Sequence, residues 1–311
     1  MKKAVYFFCP DLSLDEVASG VLAALKDTLP LSESGLVVDG MPAYTFTDAA
    51  GNRFDFVNCA YYFSHRYETY LPMANKNFAD YDVAGYINWH GGANAPDKVL
   101  TVHTIGNVTT GHFAPSDPVF LRNLAVAIER GRVDAGLDDF STHTEATHWS
   151  GAIHGSDPAL IEAFPVPIFD IEIGSEPETL KNRAAAGVLA NALLRVFDQD
   201  DRPKVILCLG GIHFDDTYSK ALLQQELPIS IGHFLPTVWL VGGDYTGQRG
   251  LDFLSHALET VRGGVDAIVY NDNMKKPVKD CVREFAARTG LPLLKHRRLH
   301  TPLDIDWGAA Q

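Results

Sequence analysis

Histidine and carboxylate side chains can hold a metal ion or move a proton near neutral pH, and one stretch of this chain concentrates them. Residues 141–155, STHTEATHWSGAIHG, place His143, His148 and His154 beside Glu145, with small and hydroxyl-bearing residues between them. The stretch lacks the apolar period of an element that packs in a core. As a strand it would put His143 and Glu145 on one face and His148 on the other. Its threonines disfavour a helix, and His143-x-Glu145-x-x-His148 is not the HExxH zinc-protease pattern. A polar loop whose histidines only bond to backbone is the plainer alternative. Five further histidines, His90, His103, His112, His213 and His233, fall at strand ends or in the loops just after them. Most stand close to glycine, which lets backbone approach a ligand while the imidazole points at it.

Glu172, in residues 170–175 (DIEIGS), is a carboxylate in an otherwise apolar strand. Burial there raises its pKa unless a cation or metal pairs with it. It is a functional candidate if it faces the histidines and unremarkable if it faces solvent. No GxSxG elbow occurs, and no cysteine lies in a polar, histidine-rich setting, so covalent serine or cysteine catalysis is disfavoured. Water activated by histidine, by a carboxylate or by a metal remains, which suits hydrolysis of an ester or amide.

The elements that must carry these groups read as an alternation of strands and helices. Strands are expected at 4–8, 83–89, 99–103, 167–173, 204–209, 238–241, 265–270 and 291–294, with short strands and turns over 31–60. Helices are expected at 14–25 after Asp11 or Ser13, from 117 to about 130 with Gly131 as stop, and at 184–196. The last of these follows a Ser175/Glu178 capping box. Further helices are expected at 218–225, 251–261 and 278–287. This alternation implies an α/β sheet covered on both faces, with ligands beyond the carboxyl ends of strands. No repeat or linker divides the 311 residues, so a single domain over 1–311 is the simplest account. No GxGxxG or GxxxxGK[ST] motif supports a nucleotide site.

Composition bounds the partners. No apolar run approaches the ~20 residues of a membrane span, and the first strand leads into Pro10 without a cleavage pattern, so a cytoplasmic location and no membrane partner are expected. Four scattered cysteines offer neither a disulfide framework nor a cysteine zinc site. The net charge of −13 argues against broad nucleic-acid binding. Lys275, Lys276, Lys279 and Arg283, followed by Lys295 to Arg298, nevertheless form a C-terminal basic patch able to hold one phosphate-bearing ligand. Solvated faces of a helix and a strand end are the alternative.

Five blocks, LTVHTIGN (100–107), TEATH (144–148), EIGS (172–175), LGGIH (209–213) and GH (232–233), occur in the order of the signature blocks of the archaeal- and plant-type D-aminoacyl-tRNA deacylases. The chain resembles a divergent member of that family over roughly residues 85–290. The resemblance implies a three-layer α/β/α, phosphorylase/hydrolase-like fold with a mixed sheet, akin to peptidyl-tRNA hydrolase. It implies hydrolysis of the ester between a D-amino acid and tRNA, with zinc as cofactor. It carries over to His103, Asn107, Glu145, His148, Glu172, His213 and His233. The chain departs from the family pattern at Trp149-Ser150, at residues 214–217, at Thr237 and at residues 271–277, and several departures replace histidine or basic residues.

The leading expectation is therefore water attack on the ester, with His148, Glu145, His103, Glu172 and His213 as catalytic residues and His103, His148 and His213 as metal ligands. Glycine-flanked backbone N–H groups would stabilise the oxyanion. Asn107, His112, Trp149, His233, Lys275 and Lys276 are expected to bind substrate. Two alternatives stand beside this one: a metal-dependent hydrolase of the same fold acting on a small ester or an aminoacyl or peptidyl amide, and a non-catalytic binding protein.

Overall fold

The computed structural model describes residues 1–92 and 95–307. Its strands are β1 (Lys3–Phe8), β2 (Ser32–Val38), β3 (Met41–Thr47), β4 (Arg53–Asn58), β5 (Val83–His90), β6 (Lys98–Thr104), β7 (Gly106–Asn107), β8 (His112–Phe113), β9 (Ser141–His143), β10 (Ile168–Ser175), β11 (Lys204–Leu209), β12 (Ile229–Leu235), β13 (Ala267–Tyr270) and β14 (Leu293–Lys295). Its helices are α1 (Glu16–Thr28), α2 (Tyr67–Phe78), α3 (Pro118–Asp134), α4 (Pro177–Leu180), α5 (Arg183–Leu193), α6 (Asp216–Leu223), α7 (Thr237–Gly242), α8 (Gly247–Glu259) and α9 (Lys276–Thr289).

The expected α/β fold with a mixed sheet is present, and its strands are divided between two main sheets. One is eight-stranded in the order β2-β3-β4-β1-β5-β10-β6-β9; the other is four-stranded, β12-β11-β13-β14, and joined by parallel pairs throughout. In the larger sheet β10 runs parallel to β5 and antiparallel to β6. Strand periodicity alone cannot assign strands to sheets, because both kinds bury apolar faces in the same way. Three apolar clusters follow. The largest joins α1, α3 and α5 to the larger sheet and also takes in Ile206, Ile231, Phe234 and Val269 of the smaller one. A second packs α2 on the opposite face of the larger sheet. The third packs α8 and α9 on the smaller sheet.

Local chemistry sets the element ends. Asp117 caps α3 by accepting from the N–H groups of Val119 and Phe120, with Pro118 in the first turn, the arrangement expected of a helix start. The helix does not stop at Gly131. A methyl group there would meet Val188 Cγ1 at 3.0 Å, so this glycine serves the close packing of α3 on α5. Asp15, rather than Asp11 or Ser13, caps α1 through Ala18 N–H. The Ser175/Glu178 capping box is absent: Ser175 Oγ bonds to Pro96 O, and Asn182 caps α5. Residues 238–241 lie in helix α7, which begins just after Pro236, and the strand is Ile229–Leu235. The short apolar run there carries no period able to separate strand from helix. The aromatic helix α2, with Pro72 inside it, was not expected.

The two sheets meet at residues 104–106, 144–148 and 233–234. Thr147 N–H donates to Phe234 O at 2.7 Å, Phe234 N–H donates to Thr147 Oγ1 at 2.8 Å, and Thr147 Oγ1 lies 2.6 Å from Thr104 Oγ1. A methyl group at Gly106 would stand 2.7 Å from Thr147 Cγ2 and 2.8 Å from the Phe113 ring. Thr147 is held from both sheets and has no room to give. Gly106→Ala is therefore expected to cost about 1–3 kcal/mol, read as a lower urea midpoint at unchanged slope; an unchanged midpoint would show the joint to be slack.

Candidate active site

The site begins as a polar row on one face of β5, β10 and β6. Tyr86, Asp170 and His103 are register partners, as are Asn88, Glu172 and Thr101. Partners on neighbouring strands share a face, so Asp170 and Glu172 both rise from the central strand toward His103. The opposite face of β10 carries Phe169, Ile171 and Ile173 into the largest core. Asp170, Glu172 and His103 are buried. Asn88 Nδ2 donates to both Asp170 oxygens, at 3.1 and 3.2 Å.

Two loops close over this row. Residues 144–148 bring Glu145 and His148, fixed by the joint at Thr147 and by Ala146 N–H donating to His213 O. The loop after β11 brings His213, whose Nε2 lies 2.7 Å from Glu145 Oε2; His90, at the end of β5, places its Nε2 3.1 Å from the same oxygen. Glu145 is 1% exposed. The His103 and His148 rings stack, with centroids 4.0 Å apart and planes 18° apart. Trp239 and Phe214 flank the partly open His213, with ring centroids 5.4 and 5.1 Å from its own.

Hydrogen bonding fixes two tautomers. His103 Nδ1 lies 3.0 Å from Thr104 O, and His148 Nδ1 lies 2.9 Å from Ala146 O. A carbonyl oxygen only accepts, so both Nδ1 atoms carry the proton and both Nε2 atoms present lone pairs. Burial lowers the pKa of His103 to about 4 and that of His148 well below the ordinary value, so both rings are neutral near pH 7. Burial alone would raise Glu145. Hydrogen bonds from His213 and His90, with the influence of His103, outweigh it and hold this carboxyl well below the ordinary range. Asp170 and Glu172 are pushed well above it, first by burial and then by the neighbouring carboxylates. An ionised Glu145 thus faces protonated acids on one side and imidazoles on the other.

The five expected catalytic residues, His103, Glu145, His148, Glu172 and His213, come together. His103, His148 and His213 do not form a metal-ligand set by themselves. Among the described residues every grouping able to hold an ion includes a carboxylate: His90/Glu145/His213, His103/Glu145/His148 and His103/Asp170/Glu172, each with its ligand atoms within 4.8 Å of one another. Two glycine N–H groups in the loop before His213 are engaged, Gly210 with Leu235 O and Gly211 with Thr237 Oγ1.

The expected substrate-binding residues scatter. His233 is fully buried between Thr104 Oγ1 and Thr260 Oγ1, at 3.1 and 3.0 Å, and acts as a structural bridge. Trp149 is 3% exposed and packs edge-on against Tyr67, so its large ring fills the second core. Asn107 Oδ1 accepts from Thr109 Oγ1 within the β7–β8 turn. His112 pairs with Glu162, which also meets His256. Lys275 and Lys276 open α9, and Lys276 pairs with Asp280. Sequence reasoning left out Asp170, whose spacing of two from Glu172 already signals one strand face, and Trp239, hidden by the strand reading of 238–241. His90 was named without its partner. A groove of about 870 Å³ between α3 and α5 contains none of the cluster.

Buried imidazoles with bare Nε2 atoms beside an ionised carboxylate, set on an α/β framework, form a site able to move protons, as an acid–base enzyme needs. Comparison with known proteins narrows the class. The D-aminoacyl-tRNA deacylase family model matches residues 77–294, and the chain belongs to that family. D-aminoacyl-tRNA deacylases of Pyrococcus abyssi and Pyrococcus horikoshii are each 24% identical to it, over 91% of this chain and 97% of theirs. The crystal structure of AF0625, a conserved protein of unknown function, superposes with a TM-score of 0.75 at 21% identity and covers 96% of both chains, a likeness of fold. No described helix is long and apolar enough to cross a membrane.

The protonation pattern has a measurable outcome. His103 titrates at about 4 when folded, against 6.5 as its ordinary value. The stability it contributes is complete above pH 6.5 and is lost as pH falls toward 4, because the unfolded chain takes up the proton first. Nitrogen NMR of the imidazoles should show His103 as a neutral Nδ1–H tautomer down to pH 5. Titration near 6.5 would contradict the burial argument.

Proposed function

We propose that this chain hydrolyses the ester joining a D-amino acid to tRNA, with His148 as the base that activates water. The observation that carries the reading is the stacked His148/His103 pair with bare Nε2 atoms beside the ionised Glu145, inside the matched family region. The water oxygen bonds to the ester carbonyl carbon as its proton passes to His148 Nε2. The proton reaches the ribose oxygen when the C–O bond breaks. Glu145 offsets the positive charge that develops on the imidazoles, and its bonds to His213 and His90 hold it in place. Glu172, kept protonated by burial, is a donor for the carbonyl oxygen as charge grows there. The family match favours this reading over the small-substrate alternative.

The residues present fit a metal ion. His103 Nε2, Glu145 Oε1 and Glu172 Oε2 are buried atoms without a hydrogen-bond partner, and nitrogen with carboxylate oxygen is a zinc-type donor set. His103, Glu145 and His148, whose ligand atoms lie within 4.8 Å of one another, would hold zinc, with Glu172 beside them. Zinc there supplies positive charge that acidifies water and polarises a carbonyl.

Incubation with D-aminoacyl-tRNA should release the D-amino acid while the L-ester survives. His148→Ala should slow release on the order of 10²–10⁴-fold with unchanged thermal unfolding. An intact D-ester at high protein concentration would remove the tRNA reading. If zinc is resident, elemental analysis should find about one ion per chain and chelation should lower the unfolding temperature; metal-free protein of full stability would remove the cofactor.

A further inference from the structure

The chain's positive charge is concentrated. Residues 271–300 hold eight lysines and arginines against three acidic residues, in a chain of net charge −13. The structure gathers Arg283, Lys295, Arg297 and Arg298 around a groove of about 750 Å³ that also contains Tyr270. One wall is α9. The other is β14, the outer strand of the smaller sheet, with the turn that follows it. Lys275, Lys276 and Lys279 lie outside the lining. Two acids touch the cations, Asp272 at 3.4 Å from Lys295 and Asp280 at 3.2 Å from Arg283, and exposed pairs of this kind hold their partners weakly. Arg298 donates through Nη2 to Asp304 O, while its Nε is buried without a partner.

This groove is tied to the active site. His296, between Lys295 and Arg297, places Nε2 2.8 Å from Asp215 Oδ1, and its ring stands edge-on to Tyr218. Asp215 caps α6 and lies two residues after His213. The basic turn is therefore fastened to the loop that supplies one of the clustered histidines.

We propose that the groove receives backbone phosphates of tRNA while the esterified end reaches the histidine cluster, an inference that rests on the deacylase reading. Guanidinium groups match phosphate oxygens in pairs. The acidic remainder of the surface repels the same polyanion and so confines docking to this one basic region. The contacts would orient the tRNA without reading its sequence.

The test is the double variant Lys295→Glu/Arg297→Glu, which leaves Arg298 and its hold on Asp304 in place. Two substrates are compared, D-aminoacyl-tRNA and D-aminoacyl-adenosine, which carries the same ester and no phosphate. The variant should raise KM for the tRNA ester at least tenfold and flatten its salt dependence by about two units of log K against log salt. Hydrolysis of the adenosine ester should be unchanged, and Lys295→Arg/Arg297→Lys should behave as wild type. Unchanged KM and salt slope for tRNA would overturn the proposal and leave the groove to an acidic protein segment. Equal losses on both esters would also overturn it, since the change would then act at the hydrolytic centre. If the wild type cleaves neither ester, the deacylase reading falls. Filter binding of uncharged tRNA to wild type and variant then decides the groove separately.

Discussion

A buried cluster that holds three carboxyls and, among the described residues, pairs none of them with a lysine or arginine has to be neutralised from within, and the form of this site follows from that need. The three are Glu145, Asp170 and Glu172. An unpaired buried charge costs several kcal/mol. Imidazoles gather on Glu145, protons stay on Asp170 and Glu172, and Asn88 donates to Asp170. A divalent cation is the other way to offset the charge of these carboxyls. The two solutions draw on one set of side chains, so adding a metal would release protons from the carboxyls that now keep them.

This arrangement needs two sheets rather than one. The larger sheet supplies the fixed row of Asp170, Glu172, His103 and His90, on strands buried among their neighbours. The smaller sheet supplies His213 from a strand end and Trp239 from the helix after Pro236. Residues 144–148 belong to neither sheet. They are stitched to both by Thr147 and Ala146, and Glu145 and His148 are positioned by that stitching. The absence of an apolar period in this stretch is accordingly a requirement of its place: a segment bonded on both sides through backbone and hydroxyl groups has no face to bury.

Much of this was legible in the residues. Histidines near glycine at strand ends named His90, His103 and His213, the apolar run named Glu172, the polar stretch named Glu145 and His148, and the order of the family-like blocks joined all of these but His90. Asp170 carried a readable sign, since residues two apart on a strand share a face, but the apolar run drew attention to Glu172 alone. His233 and Trp149 show the limit of residue type as a guide. A fully buried histidine can be satisfied by two threonines, and a tryptophan beside a catalytic pair can point into the core. Neither fact leaves a trace in spacing. The division of strands between two sheets is likewise absent from a one-dimensional pattern, because it depends on which apolar faces meet across α3 and α5.

The hydrogen bonds that orient His103 and His148 reach only one or two residues along the chain, to Thr104 O and Ala146 O. Each ring is therefore set by its own stretch of backbone, as a compass needle is set by its mounting rather than by the ship. The link between His213 and Glu145 and the mountings of these two rings are thus separate: a change in the first leaves the directions of the two lone pairs as they are.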